Sequence, residues 1–402
     1  MTATPRDEYK GYLKPEPDPR EVKYTVISVD DHIVEPKGMF EGRLPKKFAD
    51  QAPRVVEVDN AEAWVFEDVS YPQLGFNAMV GREGDHWTFE PTSWDDMRRG
   101  CWDIHHRVKD MDINGIWASL NFPSFIAGFS GSRFSAAQNP ELGHAVMQAW
   151  NDWMYEEWHG PYPDRIIPLA LTWLPDPKLG AAEIYRNAAR NVPAVSLPEL
   201  PHRLGYPSLH SGYWDPILAA CEETDTVVCL HVGSAGLPSD LAEDGPSPAL
   251  SATMFQAMSL NSCVDWLWSG VALRFPKLKI AMSEGGIGWI PMLKDRLEFM
   301  LGKSGHGRSQ WPSADITPTE VLERNFWFCM IDDPSAIVNR HRIGVDRIML
   351  ETDYPHADST WPDSQEFIVR TFEGVPEDEI RKMAHGNAAA LFRHPLPAKV
   401  LP

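Results

Sequence analysis

Short apolar runs that end in polar residues recur along the chain. Residues 24–36 (YTVISVDDHIVEP) are β-branched and apolar and close in a burst of charge. That is the profile of a buried strand delivering polar groups at its C-terminal end. It recurs in RIIPLALTWLPDP from Arg165, TVVCLHVGSAG from Thr226, LKIAMSEGG from Leu278, NFWFCMIDDP from Asn325 and DRIMLETDYPH from Asp346. GIWASLNFP from Gly115 and VPAVSLPEL from Val192 complete a set of eight. Helical spacing fills the intervals at 102–113, 141–158, 178–190, 211–224, 288–301, 363–372 and 377–392. Strands alternating with helices predict an α/β fold, and eight units predict a closed (β/α)8 TIM barrel rather than an open sheet.

Two stretches break the alternation. Residues 38 to about 100 contain VVEVDN and WVFEDV, which predict a small β-rich insertion after strand one. Residues 234 to about 262 open with SAGLPSDLAEDGPSP and predict a long loop after strand five. Long loops at the C-terminal ends of barrel strands form substrate pockets. Pro15, Pro17 and Pro19 make residues 1–22 an N-terminal arm, leaving 23–402 as one barrel domain.

Composition narrows the classes. With 402 residues, 43% apolar and 23% charged, the chain can bury a large core, and no run approaches the roughly 20 apolar residues of a membrane span. A formal charge of −20 without a Lys/Arg cluster argues against a nucleic-acid partner. Five cysteines without a CxxC pair support neither a disulfide framework nor a zinc knuckle. The polar N-terminus lacks an apolar signal core, so a cytoplasmic location is expected. No GxGxxG follows the first strand and no phosphate-loop motif occurs. Neither Gly128-Phe129-Ser130-Gly131 nor Gly233-Ser234-Ala235-Gly236 satisfies the GxSxG of a serine hydrolase.

Candidate chemistry sits at the strand ends. In Asp30-Asp31-His32 the period of two puts Asp30 and His32 on one side and Asp31 on the other. His231 ends strand five, Glu284 ends strand six beside two glycines, and Asp353 ends strand eight. Taken singly, each reads as a strand-end turn or a hydrogen-bonded core residue. In a closed barrel all five converge on one mouth, where adjacent carboxylates require a shared cation or proton. Two imidazoles with carboxylates suit a divalent Zn, Mn or Fe ion better than Ca or Mg.

These residues also resemble a family. VDDHIVEP, CLHVGS, ETDYPHADSTWP and HGNAAALF, in this order, are similar to motifs of the amidohydrolase superfamily, in its branch of metal-dependent decarboxylases, hydratases and hydrolases of organic acids. The resemblance runs from about Ser28 to Phe392. It implies Asp30, His32, His231 and Asp353 as metal ligands, Asp353 as proton acceptor from metal-bound water, and a homodimer. The aromatic segment NDWMYEEWHG is the expected dimer contact. One departure stands out: Glu284 occupies the place of the strand-six histidine that moves protons in the branch's decarboxylases. Glu284 would then be a ligand bridging a second ion or a general base, and His356 the replacement imidazole.

The expected function is a metal-dependent hydrolase, with one or two ions, cleaving an amide, ester or thioester of an apolar organic acid. Asp353, Glu284 and His356 would be catalytic. Trp289, Trp361 and Ser234 are expected to bind substrate, with Trp87 and Trp94 near the same loops. The alternative is non-oxidative decarboxylation of an aromatic or hydroxy acid. A non-catalytic binding protein is the third reading, and the intact ligand set speaks against it.

Overall fold

The computed structural model describes residues 13–75, 77–83, 90–237, 241–242, 244–245, 247–303 and 305–402. Trp87 lies outside them. Parallel strands β1 (Ile27–His32), β5 (Ala118–Phe122), β6 (Ile166–Ile167), β7 (Leu169–Ala170), β8 (Ala194–Leu197), β9 (Val227–His231), β10 (Ile280–Ser283), β11 (Phe326–Met330) and β12 (Ile348–Leu350) form one sheet. Its order is β6-β5-β1-β12-β11-β10-β9-β8-β7. β6 and β7 flank Pro168 and are the two halves of one strand, so the sheet closes on itself as an eight-membered barrel. Proline lacks the N–H a continuous ladder needs, hence the break.

Burial on both faces explains the unbroken apolar runs. Ile27, Val29, Leu120, Val227, Cys229, Ala281 and Met349 pack inside the barrel. Their neighbours Val26, Val228, Leu230, Ile280, Met282 and Ile348 face the surrounding helices.

The insertion holds an antiparallel sheet of β2 (Arg54–Val58), β3 (Ala61–Phe66) and β4 (Val69–Tyr71). Its first hairpin turns on Asp59 and Asn60, at φ 52° and 62°, the two-residue turn that matches strand twist. The arm lies against the body from Leu13 onward: Lys14 donates to the Gly81 carbonyl and Arg20 to that of Ile113, both at 2.8 Å.

Two expectations need correction. The 234–262 segment is not one loop, because helices Ser247–Thr253 and Phe255–Trp268 occupy most of it. Met258, Cys263, Trp266 and Leu267 give the second helix a buried face that its serines obscure in sequence. The tryptophans of the expected dimer contact are interior: Trp153 and Trp158, with Met154 beside them, are no more than 2% exposed, and the segment shows its glutamates Glu156 and Glu157 at the surface instead. Helix Pro140–Trp153 runs into a π-helical turn, Met154–His159, and the Trp158 indole donates to Asn121 Oδ1 at 2.7 Å inside the protein. Among the described residues no helix is long and apolar enough to cross a membrane.

Candidate metal centre and active site

β1 does not keep one alternation throughout: its pairing with β5 shifts register between Ser28 and Asp31, so beyond Val29 it is Asp30 and His32 that reach the mouth. Asp31 turns away from the cluster and accepts from Ser28 Oγ at 2.9 Å, Thr352 Oγ1 at 2.7 Å and the Tyr354 amide at 3.1 Å. It thereby ties strand one to the segment after strand eight. Asp30 and His32 face the other way, into the barrel mouth. The His32 and His231 Nε2 atoms lie 3.0 Å apart, and Asp30 Oδ1 is 3.6 Å from each. Asp353 Oδ1 stands 3.4 Å from His32 Nε2, and Glu284 Oε2 3.2 Å from His231 Nε2. The five sequence-named ligands therefore converge.

Backbone contacts aim the rings. His231 Nδ1 lies 2.6 Å from the Val232 carbonyl, which assigns the proton to Nδ1 and turns the Nε2 lone pair to the cluster. Phe129 covers both rings, with centroids 4.2 Å from His231 and 4.9 Å from His32. Glu284 and Asp353 adopt left-handed backbone at φ 58° and 54°, strain on the order of 1–3 kcal/mol each that the surrounding structure must hold. Gly286 at φ 55° shares the Glu284 turn without that strain.

The donor set fits a divalent transition metal. Both Asp30 carboxylate oxygens are fully buried with no hydrogen-bond partner among the described residues. An uncompensated carboxylate in that position is costly unless a cation shares it. Burial, followed by repulsion from Glu351 and Asp353, pushes the Asp30 carboxyl well above its usual range. Burial and then Asp353 do the same to Glu284, and burial with Asp358 and Glu351 to Asp353. Burial, then His356 and His231, pull His32 well down, and burial brings His231 to about 3. The groups thus favour neutral forms on their own. A dication reverses that balance, because it stabilises carboxylate and neutral imidazole together.

His356 is not the solvated loop residue that its place in sequence suggests. It is 4% exposed, stacks on His32 at 4.1 Å and puts Nδ1 2.8 Å from Asp353 Oδ1. The three side chains expected to bind substrate are committed within the protein. Ser234 Oγ accepts from the Glu199 amide at 3.0 Å, and the Trp289 indole donates to Gly286 at 2.9 Å. The Trp361 indole donates to the Asp110 carbonyl at 3.0 Å, and Trp94 likewise donates to the Glu35 carbonyl at 3.2 Å in the insertion core.

Three contributors escaped sequence reasoning. Glu351 lies two residues before Asp353, accepts from the Glu284 amide at 3.1 Å and receives the Cys329 thiol. Burial raises its pKa to about 7. The period-two logic that paired Asp30 with His32 would have found it. Arg107 donates to the carbonyls of His32 and Gly100, bracing β1 from a helix where nothing in the sequence marks it. Phe129 sits in a stretch read only for its failed nucleophile motif.

Residues 61–394 match the sequence profile of a family described as Amidohydrolase, a range that includes His231, Glu284, Asp353 and His356 and leaves β1 outside. The fold is similar to an amidohydrolase from Mycobacterium avium subsp. paratuberculosis K-10, with TM-score 0.70 and 23% identity over 92% of this chain and 100% of that one. It is also similar to 5-carboxyvanillate decarboxylase from Sphingomonas paucimobilis, with TM-score 0.65 and 19% identity over 92% and 99% of the two chains. A dihydroxybenzoic acid decarboxylase from Polaromonas sp. JS666, with bound manganese and 2-nitroresorcinol, matches at TM-score 0.60 and 17% identity over 92% and 97%.

Proposed function

The chain belongs to the amidohydrolase family, and from that premise we propose that this metal-dependent enzyme is a non-oxidative decarboxylase of an aromatic hydroxy acid. The observation that carries this reading is the Asp353–His356 pair, with Nδ1 2.8 Å from Oδ1 beside the imidazole cluster. Decarboxylation consumes a proton: the aromatic carboxylate and H+ become the arene and CO2. Each turnover must therefore be resupplied from outside. Hydrolysis, the reading preferred from sequence, returns the proton of water to the leaving group and has no such need. Two structurally similar proteins are decarboxylases of aromatic acids, and one holds manganese.

Asp30, His32, His231 and Asp353 would hold the metal, with Glu284 beside His231. When bound, the metal supplies the positive charge that receives the substrate carboxylate and its neighbouring hydroxyl. Asp353 hands its proton to the ring carbon that bears the carboxylate. The bond to the carboxylate then breaks, and its electron pair restores the aromatic ring as CO2 leaves. His356 returns a proton to Asp353. Phe129 excludes water from the imidazole face.

The test is a panel of ortho-hydroxy aromatic acids with the metal-loaded enzyme, followed by CO2 release, beside a panel of amides, esters and thioesters. CO2 release without cleavage of the second panel is expected. Cleavage of the second panel without CO2 from the first would return the assignment to a hydrolase.

A further inference from the structure

Asp30 belongs to two groups of metal-ligating side chains. In the first, its Oδ1 stands 3.6 Å from the Nε2 atoms of His32 and His231. The second shares only Asp30 with these imidazoles: one oxygen of Asp30, one of Glu351 and the Cys329 Sγ lie within 4.8 Å of one another. Three adjacent strands supply it, since β1, β12 and β11 are neighbours in the sheet. Cys329 pairs in register with Met349, both point into the barrel, and the period of two carries Glu351 to the same face. Asp30, Cys329 and Glu351 are 0%, 1% and 5% exposed.

Internal bonding leaves this group unfinished. The Cys329 thiol reaches Glu351 and the Met282 carbonyl, the latter at 3.3 Å, and Glu351 accepts from the Glu284 amide at 3.1 Å. Nothing among the described residues donates to either oxygen of Asp30. Asp96, Asp265 and Asp353 each have one buried oxygen in that state, whereas Asp30 has two. Charge is unfinished as well. Asp31 has three hydrogen bonds and the Arg107 guanidinium acting on it. Among the described residues no lysine or arginine pairs with Asp30, Glu284, Glu351 or Asp353. One dication at the imidazoles leaves half of these four negative charges unmatched, where an unpaired charge is costly.

We propose that Asp30, Cys329 and Glu351 form a second metal site, with Asp30 bridging its ion to the one at His32 and His231. Metal–sulfur and metal–oxygen bonds of about 2.3 and 2.0–2.2 Å bring the three ligands onto one ion with small side-chain shifts. A thiolate with two carboxylates suits a thiophilic dication such as Zn, Co or Fe, and binding releases the thiol proton to solvent. The proposal rests on the metal-dependent reading of the barrel mouth and not on which reaction runs there.

The test loads metal-free protein with Co(II), removes unbound ion by gel filtration, and measures cobalt content and the near-ultraviolet spectrum. The wild type should hold about two equivalents per chain and show a sulfur-to-cobalt charge-transfer band, which imidazole and carboxylate ligands do not produce. Cys329→Ser should lose the band and about half of the cobalt, while Cys229→Ser, on β9 inside the same barrel, keeps both. If Cys329→Ser fails to fold, Glu351→Gln must likewise lose about half of the cobalt. A wild type without the band, or a band that survives Cys329→Ser, overturns the second site. One equivalent carrying a Cys329-dependent band would overturn the bridge. One equivalent without the band would leave the imidazole site standing, and no bound cobalt at all would sink the metal centre itself.

Discussion

The Asp353 amide donates to the Asp30 carbonyl at 2.9 Å, so a backbone hydrogen bond sets the spacing between the two carboxylates. The next contact, from the His32 amide to the Tyr354 carbonyl at 2.6 Å, repeats the arrangement one step further along. The first and last strands thus present Asp30 and Asp353 in fixed register, whatever the side chains bind.

Asp30→Asn should separate that register from metal affinity. The amide keeps the shape and the backbone contacts but removes the buried negative charge. Metal binding is expected to weaken by roughly 100-fold or more, since even the loss of an outer supporting group costs about 10–100-fold. Without metal, the variant should unfold no earlier than metal-free wild type. Elemental analysis after dialysis and a thermal melt check both. Stoichiometric metal in the variant would remove Asp30 from the ligand set.

His356→Asn should lower kcat by about 10–100-fold, at the low end of general acid–base effects, while metal content stays at the wild-type level. Stopped assays of CO2 release with parallel metal analysis make the measurement. An unchanged kcat would show that Asp353 receives its proton by another route.

Glu199 gives a pH prediction at a group outside the proposed ligand set, held by the turn that follows His231. It is 1% exposed, and burial raises its pKa to about 7 against an ordinary 4.5, although the Gly233 amide donates to it at 2.8 Å. A carboxyl whose folded pKa is raised binds more protons folded than unfolded. Stability therefore falls as pH rises from about 4.5 through about 7, by at most roughly 3 kcal/mol. Glu199→Gln keeps the acceptor and removes the titration. It should melt higher than wild type at pH 8, with the advantage gone at pH 4.5. Equal melting at pH 8 would show that Glu199 is solvated in the native state.

A packing prediction concerns the turn that carries Glu284. A Cβ built on Gly285 would lie 2.1 Å from Ser259 Cβ, on helix Phe255–Trp268. Gly285→Ala should destabilise by about 1–3 kcal/mol through overpacking. Ser259→Gly should recover much of that loss in the double variant, because it removes the atom that clashes. Denaturant melts of the four proteins decide it, and simple additivity would mean that helix and turn are not coupled.

The barrel was legible because its strands are buried on both faces, so each reads as an apolar run with a polar end. The convergence of Asp30, His32, His231, Glu284 and Asp353 followed from barrel closure alone. Less was visible where a contact depends on a partner far away in sequence. His356 could be named from its nearness to Asp353, but its burial against the His32 ring could not. The aromatic segment 151–160 looked like an interface because periodicity does not reveal which of two faces a neighbour will cover.

The left-handed backbone at Glu284 and Asp353 limits how this protein can be made more robust. Replacing a strained residue by glycine is an ordinary stabilising substitution, and here it would delete a carboxylate from the proposed metal site. Relaxing either turn by another residue choice would swing the acid off its target. Thermostability selected in this scaffold should therefore accumulate in the helices and the insertion, with these two positions held back by a trade-off between stability and activity.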